Sequence, residues 1–251
     1  MPDALIQMRG ISKRFGGVTA LQNVDLDANA GEVLAIVGDN GAGKSTLIKI
    51  LTGVYQPTSG TVRLGGQAQH FASHADAIKV GIDAVYQTLA LADHLDPPAN
   101  LFLGNELTRR VCGIDVLDNK RMREETERVL MDRLGVRLKS LDAPTESLSG
   151  GQRQAVAIAR AVYHDDLRVL VMDEPTAALG PQETARTLKL IKTLKAQGLA
   201  VILISHSLDD VFEVADRIHV QRRGQCVGVV NTADSSTQEV LGMIVGAKED
   251  T

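Results

Sequence analysis

Residues 38–46 read Gly-Asp-Asn-Gly-Ala-Gly-Lys-Ser-Thr and satisfy G-x-x-x-x-G-K-[ST] in full. No other stretch limits the fold as tightly, because such a loop works only between a buried strand and a helix. Upstream, Val33–Val37 is an unbroken apolar run, as expected of a strand covered on both faces. Downstream, Lys44–Leu51 reads as a helix. The glycines let backbone N–H groups close around phosphate oxygens, and the helix N-terminus adds partial positive charge. Gly38, Asn40, Gly41, Ala42, Gly43, Lys44, Ser45 and Thr46 are therefore the candidate phosphate-binding residues. Lys44 is expected to reach the β- and γ-phosphates, and the Ser45 hydroxyl to ligate Mg²⁺. By itself the loop specifies a nucleoside triphosphate and no more.

Two further apolar runs, Val169–Met172 and Leu199–Ile204, are each followed by a helix-like stretch. In Pro181–Ala196, Leu188, Ile191 and Leu194 recur at helical spacing; Leu208–Ala215 follows the last run. This alternation predicts an α/β fold around a parallel sheet with right-handed crossovers. Near the start, Ala4–Met8 and Val24–Asp27 alternate apolar and polar residues, with turns at Gly16-Gly17 and residues 29–31. Thr61–Leu64 and Ala68–Phe71 flank Gly65-Gly66 as a hairpin would. These segments predict a small antiparallel sheet beside the parallel core. Asp118–Leu134 and Gly151–Val162 read as amphipathic helices, separated by a loop at Leu141–Ser147; Pro97-Pro98 breaks the chain earlier. Residues 246–251 read as a frayed end.

Composition excludes several classes. With 27 basic and 31 acidic residues the net charge is −4, which argues against a protein built to grip nucleic acid. Two distant cysteines, Cys112 and Cys226, fit a reduced protein with buried thiols, and nothing in the sequence demands a bridge between them. No apolar run approaches the ~20 residues of a membrane span, and residues 1–7 lack the pattern of a signal peptide. The chain is expected to remain in the cytoplasm and to work at a membrane only through a partner.

The strand Val169–Met172 ends in Asp173-Glu174. At the carboxyl end of a parallel strand such side chains face the ligand crevice. Asp173 is the candidate Mg²⁺ anchor and Glu174 the candidate general base for an attacking water. A second glycine-rich helix start lies at Leu148-Ser149-Gly150-Gly151-Gln152. One phosphate needs one cradle, so a second suggests that each nucleotide is gripped by two different loops.

The ordered set of loop 38–46, LSGGQ at 148–152 and Asp173-Glu174 resembles the ATP-binding cassette (ABC) ATPases over essentially the whole chain. The resemblance implies a RecA-like P-loop NTPase core in one domain, residues 1–251. Its lobes would be 1–87 with 163–251, including the antiparallel β subdomain, and an inserted α-helical subdomain at 88–162. It implies ATP and Mg²⁺ as cofactors. Ser149, Gly150, Gly151 and Gln152 become nucleotide-contacting residues. Gln87 resembles the glutamine that contacts Mg²⁺ and water, His206 the switch histidine at the γ-phosphate, and Phe15 the aromatic that stacks on adenine. Ser45, Gln87 and Asp173 form the implied metal set, and Glu174, His206, Gln87 and Lys44 the catalytic set. His70, His74, His94, His164 and His219 match nothing in the pattern and read as structural or surface residues.

The family's architecture implies a head-to-tail homodimer, each ATP lying between one chain's loop 38–46 and the other's Ser149–Gly151. It also implies transmembrane permease partners reached through residues 88–106, where Leu89, Leu91, Leu95, Leu101 and Phe102 read equally as candidate contacts or as core of the helical lobe. The wording around Gly53–Gly60, Val85–Gln87 and Ala177–Gly180 is similar to ATPases of bacterial simple-sugar importers, in single-cassette form. That implies a place on the inner face of the membrane and an indirect partner, a sugar-binding protein outside it. A cassette of another transporter, or a soluble non-transport ABC ATPase, is the alternative. A GTPase is disfavoured, since Asn119-Lys120-Arg121-Met122 fails N-K-x-D. One departure stands out: Gly180 occupies a position where many relatives carry Asp.

Overall fold

The computed structural model describes residues 4–177 and 179–246. The frayed end expected at 246–251 therefore lies outside the described residues beyond Gly246, as do residues 1–3 of the N-terminal reading and Ala178 of the 177–180 motif. The elements in chain order begin with β1 (Ile6–Phe15), β2 (Val18–Ala28), β3 (Val33–Val37), α1 (Lys44–Leu51), β4 (Ser59–Leu64) and β5 (Gln67–Gln69). Then come α2 (His74–Lys79), β6 (Ile82–Val85), α3 (Pro97–Leu101), β7 (Thr108–Val111), β8 (Ile114–Leu117) and α4 (Asn119–Arg128). A wider helical turn, Val129–Arg133, extends α4. The chain continues through α5 (Gly150–Val162), β9 (Val169–Asp173), α6 (Pro181–Ala196), β10 (Ala200–Ile204) and α7 (Leu208–Val214). It closes with β11 (Arg217–Arg222), β12 (Gln225–Asn231) and α8 (Thr237–Val245).

The six-stranded sheet has the order β12-β11-β3-β10-β9-β6. All its pairings are parallel except that of β11 with the edge strand β12. Successive side chains of a strand point to opposite faces, and the packing follows that rule. Val33, Ala35 and Val37 enter one core with Leu170 and Met172. Leu34 and Ile36 enter another with Val169 and Val171. The first core is roofed by α5, α6 and the α4 region; the second lies against α1 and the antiparallel sheet. Two apolar faces per strand are why the sequence runs are continuous, and each buried aliphatic side chain contributes roughly 1.5–3 kcal/mol.

The antiparallel sheet has the order β2-β1-β4-β5. Its first two strands run further toward Gly16-Gly17 than the sequence pattern predicts. Their distal halves carry Lys13, Arg14 and Phe15 on a partly exposed ribbon with irregular register, so alternation fades there. β5 stops at Gln69, and Phe71 reaches the core from beyond the strand. The strands β6 and β11 give little sequence signal. Asp83 interrupts the first, and the second carries buried His219 and Gln221 among its apolar residues. Among the described residues no helix is long and apolar enough to cross a membrane.

Candidate nucleotide site

Adjacent parallel strands bring their carboxyl ends to one edge. β10 lies between β3 and β9, with Ile204 opposite both Ile36 and Asp173. Gly38, Asp173-Glu174 and Ser205-His206 therefore emerge side by side. The sequence placed these groups more than thirty residues apart or further; the sheet order alone gathers them.

The loop after β3 depends on glycine at two positions in particular. Gly38 has φ +150°, and a Cβ there would run into the Gln221 carbonyl oxygen. Gly43 has φ +102°, and its Cβ would lie 2.8 Å from the Ala20 carbonyl oxygen. Lys44 is buried and folds back on the loop, donating to Gly38 O at 2.6 Å and Asp39 O at 3.0 Å. Burial pulls its pKa down, an effect opposed by the nearby charges of Glu174, Asp173 and Asp39. Ser45 is exposed beside it at the start of α1.

The half-buried Asp173 carboxyl is pushed above its ordinary range, first by desolvation and then by the Glu174 charge; Lys44 and Lys49 only partly offset this. Glu174 sits at φ +51°, a left-handed conformation that is unfavourable for a side chain of this type. Its N–H donates to Ile204 O at 2.9 Å, which fixes the turn. Glu174 Oε1 lies 3.3 Å from His206 Nδ1, and the imidazole is well exposed. Thus the structure brings Lys44, Asp173, Glu174 and His206 to one edge of the sheet.

Phe15 stands 43% exposed at the tip of the β1–β2 hairpin. It meets Tyr55 edge-on at 5.3 Å, with the Lys13 ammonium 5.1 Å from its ring centre. Gln87 is exposed just past β6. The residue before it is tied back to the phosphate-loop helix: Tyr86 OH lies 2.9 Å from Thr52 Oγ1, at the C-cap of α1. His74, which the sequence left as structural or surface, joins this link. Its Nδ1 is 2.8 Å from Thr52 O, and its Nε2 is 3.4 Å from Asp83. The pairing with Asp83 raises the His74 pKa despite burial.

The segment after Gln87 is pinned by Arg160, which donates to Ala90 O at 2.9 Å and Leu89 O at 3.1 Å. Asn100, fully buried, accepts from Ala92 N–H at 2.7 Å and donates to the carbonyls of Ala92 and Leu95. Of the apolar contacts expected here, Leu101 and Phe102 are core residues and Leu89 and Leu91 pack against the core. Leu95 alone of that set is exposed, with Leu103 as an addition. A groove of about 330 Å³ opens here, lined in part by Tyr86, Thr88, Ala90, Leu103, Asn105 and Arg160.

The second glycine-rich loop starts α5. Ser149 is its N-cap: its Oγ accepts from Gln152 N–H at 3.4 Å, and its own N–H donates to Gln152 Oε1 at 3.0 Å. Gly150 and Gly151 are small because α6 begins against them. A Cβ on Gly150 would lie 2.8 Å from Leu179 Cδ2, and one on Gly151 3.2 Å from Glu183 Cβ. Glu183 has no sequence signature. Its carboxyl is held below the usual range by the Ser149 hydroxyl and the Gly151 N–H. Gly180 N-caps α6 in an ordinary extended conformation, with open space where a side chain would stand. Among the described residues, no hydrogen bond or ion pair joins 38–46 to 149–152 within the chain.

The oxygen donors Ser45, Gln87 and Asp173 are chemically suited to Mg²⁺, which favours hard oxygen ligands. The mutual repulsion of Asp173 and Glu174 is the electrostatic setting that a cation relieves.

Comparison with known proteins gives the family and the fold. Residues 21–177 match the family model described as ABC transporter. The chain is 44% identical over 246 residues to a ribose import ATP-binding protein of Burkholderia cenocepacia, covering 98% of this chain and 47% of that protein. It therefore spans about half the length of the ribose-import relatives it matches. It is 43% identical to a fructose import ATP-binding protein of Rhizobium meliloti, over 98% of this chain and 96% of the relative. A xylose/arabinose import ATP-binding protein of Sulfolobus acidocaldarius is also 43% identical, over 94% and 92%. Among solved structures, a nucleotide-free ATP-binding cassette from an ABC transporter superposes with a TM-score of 0.79. It has 27% identity and covers 96% of this chain and 95% of that one.

Proposed function

This chain belongs to the ABC transporter family of ATP-binding cassettes, and from that premise we propose that it hydrolyses ATP to power import of a simple sugar. The observation that carries the reading is the convergence of Lys44, Asp173, Glu174 and His206 on the strand ends. Phe15, which stands 43% exposed, stacks on adenine. The backbone of 38–46 cradles the phosphates, and Lys44 exchanges the Gly38 and Asp39 carbonyls for phosphate oxygens. Ser45, Gln87 and Asp173 would hold Mg²⁺, which would supply charge neutralisation at the transferring phosphoryl group. Glu174 takes the proton of the attacking water. His206, 3.3 Å from it, orients the carboxylate and faces the γ-phosphate.

The site is half a site. Ser149, Gly150, Gly151 and Gln152 present helix donors that meet the nucleotide held by a second copy, and a head-to-tail twofold completes both sites at once. In this reading residues 1–87 with 163–251 move against 88–162. The groove beside Gln87 receives a transmembrane permease, and the Thr52–Tyr86 link carries the state of the phosphate-loop helix to it. The chain then works at the cytoplasmic face of the membrane, the sugar being met by the permease and an external sugar-binding protein. The names of the ribose, fructose and xylose/arabinose relatives support the substrate class.

The test is turnover by the purified chain. Glu174→Gln should bind MgATP as the parent does and hydrolyse it at least ~10²-fold more slowly, the ordinary scale of a general base. Near-parental turnover removes Glu174 from that role.

A further inference from the structure

Beneath the phosphate loop runs a line of polar side chains that the proposed hydrolysis does not use. His219 and Gln221, on β11, are 1% and 0% exposed. Burial holds the imidazole below its ordinary pKa, so it is neutral at pH 7. His219 Nε2 lies 2.8 Å from Gln221 Oε1, and its Nδ1 lies 3.7 Å from the half-buried Cys226 Sγ. With its proton on Nε2, the ring donates to the Gln221 amide oxygen, and the amide NH2 faces the other way. Gln221 Nε2 then points away from His219, is fully buried, and has no hydrogen-bond partner among the described residues. It lies 3.6 Å from the place where a Gly43 Cβ would stand.

An unpaired buried donor destabilises a protein, so such a group calls for a physical reason. The loop above supplies one. Its carbonyls at Gly38 and Asp39 are now satisfied by Lys44. When a phosphate draws that ammonium away, the carbonyls lose their donor and the loop must find another. We propose that Gln221 is a positioning residue for the phosphate loop. Its Nε2–H is taken up by a loop carbonyl when Lys44 turns to the phosphates, and His219 holds the amide in the orientation that makes this possible. The proposal rests on the reading of 38–46 as a phosphate cradle. It adds a residue that neither touches nucleotide nor belongs to the G-x-x-x-x-G-K-[ST] motif.

The test is a pair of opposed readouts on the whole chain. In a double variant, His219→Ile with Gln221→Leu, both polar partners are replaced by apolar groups. Its nucleotide-free melting temperature should equal or exceed the parent's, because no buried donor is left unpaired. Its affinity for MgATP and MgADP should fall about five- to tenfold, the worth of one lost hydrogen bond. AMP, which engages the loop least, should bind as before. Unchanged MgATP affinity, or an equal loss for AMP, overturns the proposal. Should the double variant not fold, Gln221→Met, close in length to the parent side chain, is read on nucleotide affinities alone, MgATP and MgADP against AMP, since it leaves the buried His219 N–H without its acceptor. A parent chain that fails to bind MgATP at all overturns the cradle itself, so the two failures are distinguishable.

Discussion

Two loops of this molecule share one plan, glycines leading into a helix N-terminus, yet they differ in how complete they are. At 38–46 the backbone is wound through positive φ at Gly38, Gly41 and Gly43, and the Lys44 ammonium substitutes for a ligand by binding the loop's own carbonyls. At 148–152 the helix start is already capped by Ser149 and Gln152, and a carboxylate, Glu183, already lies against it. The first loop is a shape that phosphate completes. The second is finished within its own chain, which on the proposed reading leaves it ready for a nucleotide held by another copy.

The contrast can be broken by adding one methyl group to each. Gly43→Ala forces a Cβ to 2.8 Å from backbone at φ +102°. It should cost well over tenfold in MgATP affinity, measured by titration calorimetry. Gly151→Ala meets Glu183 Cβ at 3.2 Å, a contact that a shift of a few tenths of an ångström relieves, within ordinary helical backbone. It should leave monomer affinity within about twofold, since that loop does not touch the chain's own nucleotide. Equal losses would erase the distinction.

The two carboxyls sharpen it, because their shifts have opposite signs. Asp173 is raised in the fold, so its ionised form is disfavoured there. The resulting penalty is present above its folded pKa and is relieved as pH falls through it. Asp173→Asn should raise the nucleotide-free melting temperature at pH 7, the gain shrinking toward pH 4. Glu183 is lowered, so its stabilisation is present above the unfolded pKa and is lost as pH falls through the folded one. Glu183→Gln should lower the melting temperature at pH 7 and do little in strong acid. Both are read by calorimetry across pH. The smallest effect is expected at Gly180, whose conformation suits any residue. Gly180→Asp should add a few tenths of a kcal/mol as an N-cap, in a chemical-denaturation curve.

The same contrast explains what the sequence disclosed. The strands β3, β9 and β10 are legible because both their faces are apolar, and a loop that must be glycine and lysine is legible because nothing else fits. Fold class, phosphate loop and acidic strand end follow from those signals. What escapes is contact between distant residues. Glu183 reaches Ser149 only because α6 starts against α5, and His74 meets Thr52 only through the placement of α2. Gln221 hides in a strand with no apolar run, and for Leu101 and Phe102 the sequence leaves partner surface and core equally open until their burial decides for core.

The central claim is that one nucleotide is held by halves of two copies. The most direct measurement is the solution mass of the Glu174→Gln chain by light scattering, with and without MgATP. The account predicts a monomer that becomes a dimer when MgATP is added, with one nucleotide per chain, and that reverts when Ser149 is replaced by arginine. A chain that binds MgATP stoichiometrically yet stays monomeric at high concentration would contradict it.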